Sequence, residues 1–295
     1  MQIFHKANIE KCISLKDDLA ELMLLQRKAF IDFSAGHINV PMPLQMSFKN
    51  PPGDCHVKAG YQKSDDIFIV KIATGFYQNK DLNLPAGDGA ILVFSKSTGL
   101  LQAILCDNGY LTLLRTALAA CVASQIAPVT HIGIIGTGNL GKMMEKLMRL
   151  LYPEASITIW GRNTNNPLDE LLSISDLVIT TTASHAPIVK SIRKNMHIIA
   201  LGADELGKQE LEPSLFKLAD KIIVDSKSQA IKFGDSYHAI EDGIINEDAL
   251  EELGSLLAQD YQAQDKMIIT DLTGIAAQDI VMAKWTLSAC KRPIQ

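Results

Sequence analysis

Three charged residues stand where apolar or neutral side chains would be expected, and each invites a chemical explanation. Lys71 lies inside the apolar run 67–73, where strand alternation sets it on one face with Ile67, Ile69 and Ala73. Phe68, Val70 and Ile72 line the other face, so both faces read as buried. A lysine in that setting needs an anionic partner or a lowered pKa, unless it sits on an edge strand and reaches water. Arg115 falls in the first turn of a helix that Thr112 is positioned to cap. A cation there opposes the helix dipole, and a guanidinium beside free backbone N–H groups makes a carboxylate site. Asp204 follows the apolar strand 197–201, beyond the carboxyl end where open α/β sheets bind ligands; an ordinary helix-cap aspartate is the plainer reading.

A second constellation is the run Gly136-Thr137-Gly138-Asn139-Leu140-Gly141, which follows the strand-like segment 132–135 and opens a helical one, 142–151. This G-x-G-x-x-G spacing gives a tight turn, bare backbone where a pyrophosphate can approach, and a small residue where helix meets strand. The strand before it, the helix after it and a second strand at 156–160 make the match specific for a dinucleotide. That second strand runs into Gly161-Arg162-Asn163 with no acid to bind a ribose 2′-hydroxyl. An arginine accommodates a 2′-phosphate instead, so Arg162 and Asn163 favour NADP(H) over NAD(H). Thr181 and Thr182, at the end of a further strand, 177–181, complete the expected cofactor-binding set.

The elements that must carry these residues fall into two patterns. A helix at 14–33, with Leu15, Leu19, Leu22, Leu25, Ala29 and Phe30 on one face, is followed by strand-like runs at 67–73, 90–94 and 101–106. Turns are read at 50–54 and 96–99. Thr112 then starts a helix expected over 113–126, and from residue 131 short apolar strands alternate with helices: 132–135, 156–160, 177–181, 197–201 and 221–225. That alternation predicts a mostly parallel sheet. The expected fold is α/β: a Rossmann-type doubly wound domain, 116–274, inserted in a sheet-rich domain formed by 1–115 and 275–295, with the last helical stretch, 274–290, packing back on the first region.

Bulk properties narrow the function classes. The 295 residues carry 28 basic and 33 acidic side chains, a net charge of −5, which argues against a nucleic-acid or anionic-membrane surface. The first eighteen residues are charged throughout and lack a signal core, and no apolar run would span a bilayer, so a cytoplasmic location is expected. Five cysteines, scattered and without a C-x-x-C pair, read as reduced thiols, and no metal site is expected.

In order along the chain, Val70-Lys71-Ile-Ala-Thr-Gly-Phe, Gly109-Tyr-Leu-Thr-Leu-Leu-Arg115-Thr-Ala, the glycine turn, Gly202-Ala-Asp204-Glu-Leu-Gly-Lys208-Gln-Glu210-Leu, Asp225-Ser-Lys-Ser-Gln229 and Thr273-Gly274-Ile-Ala-Ala-Gln-Asp279 resemble the ornithine cyclodeaminase/mu-crystallin family over nearly the whole length. The resemblance implies a homodimer joined through the first domain. It also implies that Lys71 and Arg115 line the substrate site, with Arg115 on the carboxylate, and that Asp204 lies beside the reacting nitrogen. Two departures stand out. An arginine of many relatives falls at Pro43, for which Lys58 is the expected substitute, and the segment 163–175 is too short for the usual third strand. The resulting expectation is an NADPH-dependent ketimine reductase acting on 1-pyrroline-2-carboxylate or 1-piperideine-2-carboxylate. The alternatives are an NAD-dependent ornithine cyclodeaminase or alanine dehydrogenase, or a non-catalytic NADP(H)-dependent binding protein.

Overall fold

The computed structural model describes residues 1–291, which divide into two compact units. The first comprises Met1–Arg115 with residues 275–291, the second Thr116–Gly274. The division falls inside a helix, Tyr110–Ser124, immediately after Arg115.

In the first unit, strands β1 (Gln2–His5), β2 (Ile38–Asn39), β3 (Leu44–Lys49), β4 (Pro52–Gln62), β5 (Ile67–Gly75), β6 (Gly87–Ser95) and β7 (Leu101–Cys106) form one sheet. Its order is β1-β7-β6-β5-β4-β2, with β3 also paired to β4. All pairings are antiparallel except β1 with β7. The helix Leu15–Ser34 and the C-terminal helix Ala276–Ala289 pack against one another, and the latter covers the inner face of β4 and β5. Ile69, Ile91, Val93 and Leu105 are buried on that side, each worth roughly 1.5–3 kcal/mol of transfer free energy.

The sequence predicts both faces of β5 to be buried, and the structure corrects this. Ile69 and Lys71 point inward, whereas Phe68 and Val70 are half-buried and Ile72 is exposed. Register aligns Phe68, Val70 and Ile72 with Phe94, Leu92 and Ala90 on β6, and Ile72 with Val57 on β4. Leu44 continues the row, and Ile3, Leu44, Met46 and Phe48 are exposed as well. Phe68 stacks on Phe94 with ring centroids 4.9 Å apart. The outer face is therefore a broad apolar surface that a single chain leaves open.

The helix bearing Arg115 also differs from expectation. It begins at Tyr110, so Thr112 is its third residue and does not cap it. Its start is held by Asp107, whose Oδ2 accepts from the Leu111 N–H at 2.7 Å. Arg115 consequently sits in the second turn, where the dipole argument made from the sequence loses most of its force.

In the second unit, β8 (His131–Ile135), β9 (Ser156–Trp160), β10 (Leu177–Thr180), β12 (His197–Ala200), β14 (Lys221–Val224), β15 (Leu250–Glu252) and β16 (Ile268–Asp271) form an all-parallel sheet ordered β15-β14-β16-β12-β10-β8-β9. A separate parallel pair joins β11 (His185–Val189) and β13 (Gln209–Leu211). The order reverses at β8, from which the chain runs one way to β9 and the other way to β10, giving the doubly wound pattern with its crevice at the carboxyl ends. β9 is the edge: between it and β10 lies only the short helix Leu168–Ile174, so the place of a third strand is taken by a turn and a helix. The Ile159 carbonyl on this edge accepts from the Asn166 side chain at 3.1 Å.

Replacing Asp107 with alanine removes a buried cap. A loss of about 1 kcal/mol (range about 0.5–2) is expected by urea denaturation with an unchanged m-value.

Candidate functional site

The glycine turn is built by steric necessity. Gly136 has φ +129°, a backbone conformation that side chains other than glycine rarely adopt, and a Cβ there would lie 2.2 Å from Thr181 Oγ1. A Cβ on Gly141 would come within 2.0 Å of the Gly136 carbonyl oxygen. These two glycines let the helix Asn139–Leu151 start directly against β8. Gly138 is the N-cap of that helix; it offers no side-chain cap, and nothing lies within 4 Å of where its Cβ would project. The first-turn N–H groups thus open onto free space bordered by exposed Thr137, Gly138 and Asn139. This cradle fits a pyrophosphate. Leu140 is half-buried behind it.

The neighbouring strand ends complete the rim. The Thr181 N–H donates to the Ile135 carbonyl at 2.8 Å and its hydroxyl to the same oxygen at 3.1 Å. Thr182 is fixed by Glu210, whose Oε1 accepts from the Thr182 N–H at 2.6 Å and whose Oε2 accepts from the Gly202 N–H and the Thr180 hydroxyl. Glu210 is fully buried, and that burial raises its pKa. Asp235 in turn accepts from the N–H groups of Glu210 and Leu211. Beyond β9, the Gly161 N–H donates to Thr164 Oγ1 at 2.9 Å, closing a turn that leaves Arg162 and Asn163 exposed. Arg162 is therefore free to meet a phosphate, and no carboxylate occupies that turn.

In the first unit the structure brings Lys58, Lys71 and Arg115 together. Lys58 is directly opposite Lys71 across β4 and β5. All three are buried, at 5%, 1% and 5% exposure. The carboxylate of Asp279, in the first turn of the C-terminal helix, receives two of them: Lys71 Nζ donates to Oδ1 at 2.8 Å, and Arg115 Nε is 3.2 Å from the same oxygen. Arg115 Nη1 donates to Gln278 Oε1 at 3.1 Å, while the Gln278 amide donates back to the Arg115 carbonyl. Burial first, then repulsion from Arg115, pulls the Lys71 ammonium down to about 7, with Asp279 opposing both. Burial also tends to raise the Asp279 carboxyl, but Lys71 and Arg115 outweigh it and hold the group below its ordinary value. A group poised near neutrality beside a fixed guanidinium can exchange a proton and bind a carboxylate.

Asp204 belongs to the second unit. Lys208 Nζ, itself buried, donates to Asp204 Oδ1 at 2.9 Å and lies 3.1 Å from Glu205. Lys208, Glu210, Gln278 and Asp279 were visible in the sequence only as parts of longer motifs. A Gln-Asp pair inside an otherwise apolar helix is the signal that could have drawn attention to the last two.

Comparison with known proteins agrees with this architecture. The model of the ornithine cyclodeaminase/mu-crystallin family matches residues 3–167 and 167–291. An uncharacterized cyclodeaminase of Sinorhizobium fredii is 31% identical over 277 residues, covering 83% of each chain. Among solved structures, an archaeal alanine dehydrogenase dimer with bound NAD aligns with a TM-score of 0.85 at 24% identity, over 98% of this chain and 95% of that one. The Thermococcus litoralis Delta(1)-pyrroline-2-carboxylate reductase, in complex with NADH and L-proline, aligns with a TM-score of 0.83 at 22% identity, over 98% and 97%.

The two glycines separate folding from binding. Gly138→Ala is expected to keep the melting temperature while weakening dinucleotide affinity by tenfold or more, measured by quenching of nicotinamide fluorescence. Gly141→Ala, which forces helix and strand apart, is expected to lower the melting temperature itself.

Proposed function

The chain belongs to the ornithine cyclodeaminase/mu-crystallin family, and from that premise we propose that it is an NADPH-dependent ketimine reductase converting 1-pyrroline-2-carboxylate or 1-piperideine-2-carboxylate to proline or pipecolate. The coarser class, a nicotinamide-dependent oxidoreductase acting on C=N or CH–NH bonds, is the one its named reductase and dehydrogenase relatives share. The observation that carries the proposal is the buried pairing of Lys71 with Arg115, one poised to titrate near pH 7 and the other permanently charged.

Residues of this chain divide the work by their chemistry. Arg115 takes the substrate carboxylate, with Lys58 as the second cation where the family's arginine is replaced by Pro43. Fixing that end sets the distance to the reacting carbon, the entropic part of the rate. An imine must be protonated before it accepts hydride, and Lys71 relays or holds that proton, adding roughly 10²–10⁴-fold. Asp204 keeps the role the family implies, stabilising positive charge on the nitrogen. Gly136 to Gly141, Thr181 and Thr182 hold the dinucleotide, which supplies the hydride when bound. Arg162, with Asn163, takes the 2′-phosphate and so selects NADPH over NADH. A lysine held near neutrality has a use in proton transfer that a purely binding protein would not need, which favours catalysis over storage of a ligand.

The domains follow the same reading: 1–115 with 275–295 binds substrate and dimerises, and 116–274 binds the cofactor. A second copy of the chain is the proposed occupant of the apolar outer face around Phe68, Val70 and Ile72; the archaeal alanine dehydrogenase of similar fold is described as a dimer. Light scattering is expected to give a dimer for the wild type and a monomer for Val70→Asp.

The deciding assay follows oxidation of NADPH and NADH with both cyclic imines. NADPH is expected to be preferred, and Arg162→Ala to narrow that preference at least tenfold. Because Lys71 acts when protonated, imine reduction is expected to fall as pH rises through about 7. Release of ammonia from ornithine with catalytic NAD⁺, or tight NADPH binding without turnover of any imine, would overturn the proposal.

A further inference from the structure

We infer that Asp279 is the positioning residue of this site, one carboxylate oxygen fixing the place of Lys71 and Arg115 and the charge of Lys71. The inference rests on the proposed roles of those two cations in the reaction. Charged groups near Lys71 come from several elements of the first unit. Lys58 lies directly across on β4, and Arg115 comes from the helix Tyr110–Ser124. Asp279 comes from the C-terminal helix, and Asp107 from the start of the Arg115 helix. His56 and Asp54 occupy the same face of β4 and are 3.3 Å from one another.

Among these, the carboxylate that touches Lys71 is Asp279. Asp107 spends an oxygen on the Leu111 N–H and is itself pushed up to about 6 by burial. Asp279 Oδ2 has no hydrogen-bond partner among the described residues, although the side chain is fully buried. A carboxylate placed for folding would have both oxygens satisfied, and a buried ion pair is in any case a weak stabiliser. One oxygen bonds Lys71 and faces Arg115 Nε at 3.2 Å as an ion pair without a hydrogen bond, while the other is left bare; this is instead the arrangement that sets the spacing of the two cations. Gln278 reinforces it. Its Oε1 accepts from both Arg115 Nη1 and the Ile275 N–H, so the same helical turn that carries Asp279 also orients the guanidinium.

The charge consequence has a definite sign. Burial, Arg115 and Lys58 all discharge Lys71, and Asp279 is the neighbour that opposes them. Substituting Asp279 with asparagine keeps the shape and removes that opposition, so the midpoint of Lys71 moves below about 7.

The test measures Lys71 directly and through turnover. In protein labelled at lysine 13Cε, with the resonance assigned by its loss in Lys71→Met, the midpoint is expected to be at least one pH unit lower in Asp279→Asn. One unit corresponds to about a tenfold change in the protonated-to-neutral ratio. The alkaline limb of kcat for imine reduction should move down with it, with activity returning as pH is lowered. Asp279→Glu, which keeps the charge but moves the oxygens, should restore the midpoint while altering KM through Arg115. An unchanged Lys71 midpoint in Asp279→Asn, or a fall in kcat of equal size at every pH, would overturn the inference. So would an Asp279→Glu enzyme with wild-type KM and kcat, which also serves if the asparagine variant does not fold. The resonance titration needs no substrate: a shifted midpoint in a protein that reduces no cyclic imine would support the role of Asp279 and count only against the proposed reaction.

Discussion

Burying an ammonium and a guanidinium side by side is among the more expensive arrangements a protein core can adopt, because each charge loses its hydration and repels the other. Lys71 and Arg115 are held in this way, and a single oxygen of Asp279 makes the arrangement tolerable. The first unit is organised around that contact. β5 delivers Lys71 to the inner face, β4 sets Lys58 across from it, and the helix opened by Asp107 brings in Arg115. The C-terminal helix, almost the last element of the chain, returns with Gln278 and Asp279 to close the cluster.

The second unit is governed by a different constraint, backbone against backbone. Gly136 and Gly141 remove the side chains that would separate β8 from the helix after it, and Glu210 ties the ends of β10 and β12 to one carboxylate. Asp235 behind it caps the Glu210 and Leu211 amides, and its own pKa is raised well above the ordinary value by burial and then by Asp271 and Glu210. The loops at the carboxyl ends of the strands are thus fixed from beneath by buried acids, leaving their outer surfaces to a ligand. The loss of a third strand is absorbed at the β9 edge, where Thr164 closes the turn after the strand and Asn166 satisfies the Ile159 carbonyl.

The sequence legibly carried whatever depends on local pattern. The 3.6-residue period of the helix at 15–34 is local, as are the alternation that sets Lys71 inward on β5 and the spacing of the glycine turn. Strands with long apolar runs were read to within three residues. β16 was not read, although it lies between β12 and β14 in the sheet. Thr270 and Asp271 make half of its four residues polar, so no apolar run stands out from a loop.

What only the tertiary structure decided has one common cause, the dependence of a side chain's meaning on residues distant in the chain. The outer face of β5 read as buried because Phe68, Val70 and Ile72 are apolar; whether anything covers them depends on other elements, and Ile72 remains 38% exposed. Thr112 had the chemistry of a cap, but Asp107 reached the helix start first. Lys71 announced the need for an anion, and its partner lies 208 positions away. Sequence spacing fixes a residue's face and its charge; the identity of the counter-charge is settled by topology, because only the folded path of the backbone brings Asp279 within reach.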